Sequence, residues 1–259
     1  MMVKKAILLI APTMVTLFFT VAANGQALPS GSLNRLLNCS LNDGVTMAEA
    51  VEWARAQPRD DTSPNAIFFR QAVMTGSSRE NSDFTIASYF PSYGEWVQRV
   101  GAANARPDNR MRPGTRGSDF FTCDPSTLRL NLNRFVNAEN NDGITGDMTL
   151  MTTRFCRLND GKTVADAWEF AQGVASNFAN AGDTSLYQVW TRELGPVGDT
   201  VAGSGVVLAT VPATPEAFGE RMDLRRDGFD PLEGLRPLPV SCDFPGMLIT
   251  HTIHLGGNN

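Results

Sequence analysis

Hydrophobic and polar positions along this chain fall into short runs that form two similar series. In the first, Leu36 to Leu41 reads as a strand, and Asn42-Asp43-Gly44 behind it is a turn signal. Thr46 then serves as an N-cap with Glu49 as its capping-box partner, and Met47, Ala50, Val51 and Ala54 recur at helical spacing, so one face of this helix is buried. Pro58 and the polar run after it end the helix. Ala66 to Met74 and Thr85 to Phe90 read as strands, and Ser92 with Glu95 is a second capping box that opens a helix through about Ala103. An Arg-, Pro- and Gly-rich loop follows. Cys123 then leads into Leu128, Leu130 and Leu132 at period two, a half-buried strand.

The second series repeats this order. Phe155 to Leu158 is a strand, and Thr163 with Asp166 caps a helix that carries Val164, Ala167, Trp168 and Ala171. Ser185 to Arg192 and Val206 to Val211 are strands, Thr214 with Pro215 opens a helix, and Met247, Ile249, His251, Ile253 and Leu255 alternate in a last strand. The similarity extends to identities. Ten of the seventeen positions in CSLNDGVTMAEAVEWAR (Cys39–Arg55) and CRLNDGKTVADAWEFAQ (Cys156–Gln172) are the same, where chance gives about one.

Both halves therefore read β-α-β-β-α-β, the ferredoxin-like motif. The expected fold class is α+β: two tandem ferredoxin-like βαββαβ repeats, over 30–137 and 150–259 with a linker at 138–149, forming a pseudo-dimeric α/β barrel with the two sheets face to face. Four cysteines allow three connectivities. Cys39 and Cys123 are 84 residues apart and Cys156 and Cys242 are 86 apart, and in this topology the first strand ends beside the start of the last. One bridge inside each half, Cys39–Cys123 and Cys156–Cys242, is expected. The competing reading, a metal site, lacks a Cys-x-x-Cys pair, and the two histidines lie together at the far end.

Residues 1–25 read as a signal peptide: Lys4 and Lys5 precede an apolar run that ends in small residues. Its removal takes away two lysines and no acids, moving the net charge from −5 to about −7. That balance gives no general attraction for nucleic acid. No later stretch has the length of a spanning helix, so no stable membrane insertion is expected after cleavage. The chain is expected to be periplasmic or secreted, and a monomer with an internal pseudo-dimer.

The pattern Cys-x-Leu-Asn-Asp-Gly-x-Thr, a helix, two strands, a helix, then Cys-Asp-x-x-x-Leu resembles small exported bacterial proteins of unknown function. These are similar to the dimeric α/β-barrel group. The resemblance covers nearly the whole chain after the signal and is specific for architecture. It implies a range of activities, since the wider group includes haem-degrading monooxygenases, chlorite-dismutase-like haem enzymes, small isomerases and stress-response proteins.

Candidate chemistry is sparse. The Asn42-Asp43-Gly44 and Asn159-Asp160-Gly161 turns read as glycine-dependent turns rather than ligand loops. Glu52 and Glu169 read as exposed helix charges. Arg106, Arg110, Arg112 and Arg116 crowd one loop and Arg221, Arg225, Arg226 and Arg236 its counterpart; they could clamp an anion, but interleaved aspartates favour solvated loops. No nucleophile elbow, phosphate loop or dinucleotide fingerprint is present. No catalytic residue, metal or cofactor is assigned. A small apolar ligand is expected between the sheet and helices of the second half, near Trp168, Trp190 and His251. The preferred reading is a non-catalytic small-ligand-binding or interaction protein. The alternative is a monooxygenase or isomerase of the dimeric α/β-barrel kind, haem-linked in one form.

Overall fold

The computed structural model describes residues 28–74, 82–104, 117–137, 139, 143–195 and 204–256. The expected signal segment, 1–25, lies outside them, as do Arg106, Arg110, Arg112 and Arg116. The first half runs β1 (Ser32–Leu41), α1 (Met47–Arg55), β2 (Ala66–Met74), β3 (Phe84–Phe90), α2 (Tyr93–Asn104), β4 (Phe121–Cys123) and β5 (Arg129–Phe135). The second runs β6 (Met148–Leu158), α3 (Val164–Asn180), β7 (Leu186–Leu194), β8 (Gly205–Val211), α4 (Pro215–Arg226), β9 (Val240–Cys242) and β10 (Gly246–Leu255).

Local sequence explains the helix starts. Thr46 accepts from the Glu49 amide at 3.3 Å while the Glu49 carboxylate accepts from the Thr46 amide at 2.8 Å. Thr163 and Asp166 make the same reciprocal pair, at 3.3 and 2.8 Å, and the hydroxyl and amide of Thr163 hold the Asp166 carboxyl down to about 2. Ser92 caps α2 through the Glu95 amide, but the Glu95 carboxylate accepts from Arg99 at 2.6 Å instead of completing a box. Gly44 and Gly161 take positive φ, 78° and 73°, which the shared turn needs and which only glycine adopts at little cost.

Eight strands close into an antiparallel barrel. The circuit is β1-β3-β2-β10-β6-β8-β7-β5 and back to β1. Each half contributes four strands in equivalent order, β5-β1-β3-β2 and β10-β6-β8-β7. The two sheets do not simply pack face to face as expected. Edge strand β2 hydrogen-bonds β10, and β5 hydrogen-bonds β7, so each sheet's two edges are consumed by the other's. Closure satisfies backbone groups that open edges would leave unpaired.

The pleat sorts side chains into a lumen and an outer layer under the helices. Leu36, Phe68, Ala87, Tyr89, Met151, Trp190, Ala209 and Leu248 pack inside the barrel. Cys39, Phe69, Phe84 and Ile253 pack outside with α1, and Cys156, Trp168, Val189 and Val206 pack outside with α3. The inward side is unusually polar: Asn34, Arg70, Thr85, Asn131, Asn133, Gln188, Thr149 and Thr250 are all buried. That explains why β1 and β6 begin earlier than the apolar pattern indicates, at Ser32 and Met148.

Cys39 pairs with Cys123 and Cys156 with Cys242. The second cysteines sit on β4 and β9, short strands before the barrel strands, each directly opposite its partner across an antiparallel ladder. Asn42 and Asn159 brace these short strands, donating to the Ser118 and Leu238 carbonyls at 2.8 Å. Two such bridges place the chain in an oxidising compartment. No helix among the described residues is long and apolar enough to cross a membrane.

Candidate functional site

The three residues expected to share a ligand do not meet. Trp168 is buried in the outer core beneath α3, beside the Cys156 bridge. Trp190 points into the lumen, where its indole N–H donates to Gln188 Oε1 at 2.8 Å. His251 lies opposite Phe69 on the outer face of β10, on the side covered by α1 of the first half, and its buried Nε2 has no partner among the described residues. Burial, then the nearby Arg55 charge, hold its pKa below the ordinary imidazole value. The placement follows from barrel closure, which turns the alternating face of β10 outward and beneath a helix of the other half. Glu52 and Glu169 are exposed, as their helix positions imply.

A cavity of about 480 Å³ lies between the outer face of the second-half sheet and α3 and α4. None of Trp168, Trp190 or His251 lines it. Its walls are apolar, with Phe170, Val174, Phe178, Leu208, Phe218 and Met222 prominent, and three arginines project into it: Arg154, Arg221 and Arg225. Arg154 comes from β6, two residues before Cys156 and therefore on the same outward face. Arg221 and Arg225 are four residues apart on α4, one turn of one face. Arg226 points elsewhere and pairs with Asp223 and Asp227, and Arg236 is exposed, so the arginine group divides between cavity and solvent.

One carboxylate serves this cluster. Asp183 follows Gly182, whose φ of 89° ends α3, and its side chain is 4% exposed. Arg221 donates to Asp183 Oδ2 and to the Tyr187 hydroxyl, and its guanidinium stacks on Phe178 with 3.5 Å from Cζ to the ring centroid. Tyr187 in turn donates to Asp183 Oδ2 at 3.3 Å, and Ser185 donates to Oδ1 through its amide at 2.9 Å. Burial pushes the Tyr187 hydroxyl well up, so it stays neutral and hydrogen-bonding at physiological pH. Arg154 and Arg225 have no carboxylate partner among the described residues. Burial, then repulsion from Arg225 and Arg221, pull the Arg154 pKa below its usual value. Arginine does not shed its proton in proteins, so the cavity keeps an excess of positive charge and favours an anion.

The donor set does not suit a haem. Neither histidine lines this cavity, its one cysteine, Cys242, is in a disulfide, and the Tyr187 oxygen is held by Arg221 and Asp183. Sequence reading did not reach Arg154, Asp183 or Tyr187. The available signal was a charged residue at an alternation position that faces a helix layer.

No protein-family model matches the chain, and no curated protein matches it. Solved structures do share its course. One is a candidate monooxygenase from Lactobacillus acidophilus NCFM, at 10% identity and TM-score 0.48, covering 88% of this chain and 97% of that one. A second is an anthrone oxidase-like protein, at 12% identity and TM-score 0.44, covering 87% and 92%. A third is a chlorite dismutase variant from Candidatus Nitrospira defluvii, at 10% identity and TM-score 0.46, covering 86% and 92%. These likenesses concern the fold. The expectation of a non-catalytic binding or interaction protein is nonetheless corrected. The cavity wall carries Tyr187 and Arg221, tied to the buried Asp183 behind them, beside Arg154 and Arg225, which is not the apolar lining expected of that reading; the descriptions of the solved structures as enzymes or enzyme-like are said of those proteins.

Proposed function

We propose that the chain is an enzyme of the dimeric α/β-barrel kind that oxygenates a small enolisable or phenolic substrate in the cavity beneath α3 and α4. In this reading the halves 30–137 and 150–259 are tandem ferredoxin-like repeats and only the second carries the site. Export to the periplasm or beyond after loss of 1–25 belongs to the same reading and is supported by the two disulfides. The observation that carries the activity is the surplus of positive charge in an apolar enclosure.

Such an enclosure binds an aromatic or alicyclic body and stabilises the oxyanion of its enolate or phenolate. Arg154 and Arg225 are the groups free to meet that oxyanion, and each 1.4 kcal/mol of preference for the anion lowers the substrate's pKa by about one unit. Tyr187 donates to Asp183, so a proton accepted at the Tyr187 oxygen can pass on to Asp183. Arg221 fixes both groups. The carbanion form of the substrate then reacts with dioxygen: an activated methylene and O2 give a carbonyl and water, which balances without an external reductant.

The test is oxygen uptake by purified protein with anthrone, whose methylene is acidified by its ketone and rings, with anthraquinone followed by absorbance. Arg154→Gln and Tyr187→Phe are each expected to lower turnover about 10- to 1,000-fold with the fold intact. Rearrangement of enolisable substrates without oxygen uptake would instead indicate isomerisation. Equal activity in both variants and the parent would remove the cavity from the reaction.

A further inference from the structure

We propose that the barrel lumen holds a second ligand site, which takes a small monocarboxylate with a flat or branched apolar body. A cavity of about 460 Å³ opens at one end of the barrel. It opens on the lumen side of the sheet, whereas the outer cavity lies under α3 and α4: on β7, Tyr187 faces outward and Gln188, which borders both cavities, faces the lumen.

Among the described residues, Arg70 is the one charged side chain that lines it. It is 3% exposed, and none of the inward side chains of the eight strands is a carboxylate. Its Nη2 donates to the Tyr89 hydroxyl at 2.5 Å, while Nε and Nη1 have no partner among the described residues. The guanidinium is held within a cage of three rings, 5.1 Å from the centroid of Trp190, 5.6 Å from Tyr89 and 5.9 Å from Phe68. Thr250, which also lines the cavity, sits directly across the β10–β2 ladder from Arg70, is 1% exposed, and has a hydroxyl without a partner among the described residues. Ser32 lines it too, and its hydroxyl likewise has no partner among the described residues.

A buried guanidinium without a counter-charge is strongly unfavourable, and arginine cannot escape by losing its proton. Cation–π contacts offset only part of that cost. Unused donors of Arg70 and Thr250, paired across the β10–β2 ladder, open on one lumen, so an anion that accepts from them completes the group. One positive charge calls for one negative charge. Most of the rest of the lining, including Phe90, Phe135, Leu186 and Val211, is apolar and suits a hydrocarbon body, with Asn65 and Gln188 as polar exceptions. Together these select a monocarboxylate of that shape over phosphate or a free inorganic ion.

Benzoate is the probe, with benzamide as its neutral isostere and sodium chloride at matched ionic strength. Thermal unfolding and titration calorimetry on the full chain are expected to show stabilisation and saturable binding with benzoate alone. Arg70→Met is expected to weaken benzoate at least about tenfold while melting at or above the parent temperature, because it removes an unpaired buried charge. Arg154→Gln/Arg225→Gln is expected to leave the benzoate response unchanged. Should Arg70→Met fail to fold, Arg70→Lys is read in its place: it keeps the charge, loses the planar fork and is expected to bind more weakly. Equal stabilisation by benzamide, a chloride effect as large as benzoate's, no benzoate response in the parent, or undiminished binding in the Arg70 variant would each overturn the proposal. So would a response that disappears with the Arg154 and Arg225 changes.

Discussion

Replacing Asp183 by Asn isolates a charge without changing a shape. The Asn carboxamide oxygen can still accept from the Ser185 amide, which donates to Asp183 at 2.9 Å, so the turn after α3 is preserved. What disappears is the counter-charge of Arg221, whose side chain is 11% exposed and lies in a cavity that already holds Arg154 and Arg225. Removing one partner of a buried ion pair costs about 3–5 kcal/mol. The lower end applies here, about 3 kcal/mol, because Arg221 keeps its Tyr187 and Phe178 contacts. For a chain of this size that corresponds to a fall in Tm of roughly 6–12 °C. Urea unfolding followed by far-UV circular dichroism should show a lower midpoint at unchanged slope. The double change Asp183→Asn/Arg221→Met removes the stranded charge and should recover stability to within about 1 kcal/mol of the parent, about 2 kcal/mol above the Asp183→Asn variant. A single-variant loss below about 1 kcal/mol, or strictly additive losses in the double variant, would refute the claim that this pair is a buried electrostatic unit.

Two further outcomes follow from the bridges and from His251. Replacing either cysteine pair by serine should cost about 4 kcal/mol, since each closes a loop of more than 80 residues, and non-reducing peptide mapping that linked the two halves would contradict the assignment. His251→Leu should leave stability equal or higher by about 1 kcal/mol, because it removes a buried Nε2 without a partner among the described residues. The sign of its pH dependence is fixed by the lowered folded pKa: the unfolded chain binds the proton more readily, so the parent loses stability as pH falls below the ordinary value of 6.5. In His251→Leu that acid-side slope should shrink; an unchanged slope would show that other groups produce it.

The two halves, the helix caps and the cysteine pairing were legible in the chain because each depends on neighbours in sequence or on the internal repeat. Thr46 with Glu49 and Thr163 with Asp166 announce helix starts through hydrogen bonds spanning three residues. The matched spacing of Cys39–Cys123 and Cys156–Cys242 fixes connectivity once the strand order is known. What only the tertiary structure decided is which side of each strand faces what. Closure through the β2–β10 and β5–β7 ladders created a lumen, turned Trp190 and Arg70 into it, and sent His251 outward beneath α1 of the other half. The outer cavity likewise joins Arg154 of β6 and Arg221 of α4, with Asp183 of a turn paired to Arg221 behind its wall, residues with no shared local pattern. Alternation along a strand gives two faces but carries no label for inside and outside; that label comes from strands paired across the halves, a long-range choice that short-range periodicity does not encode.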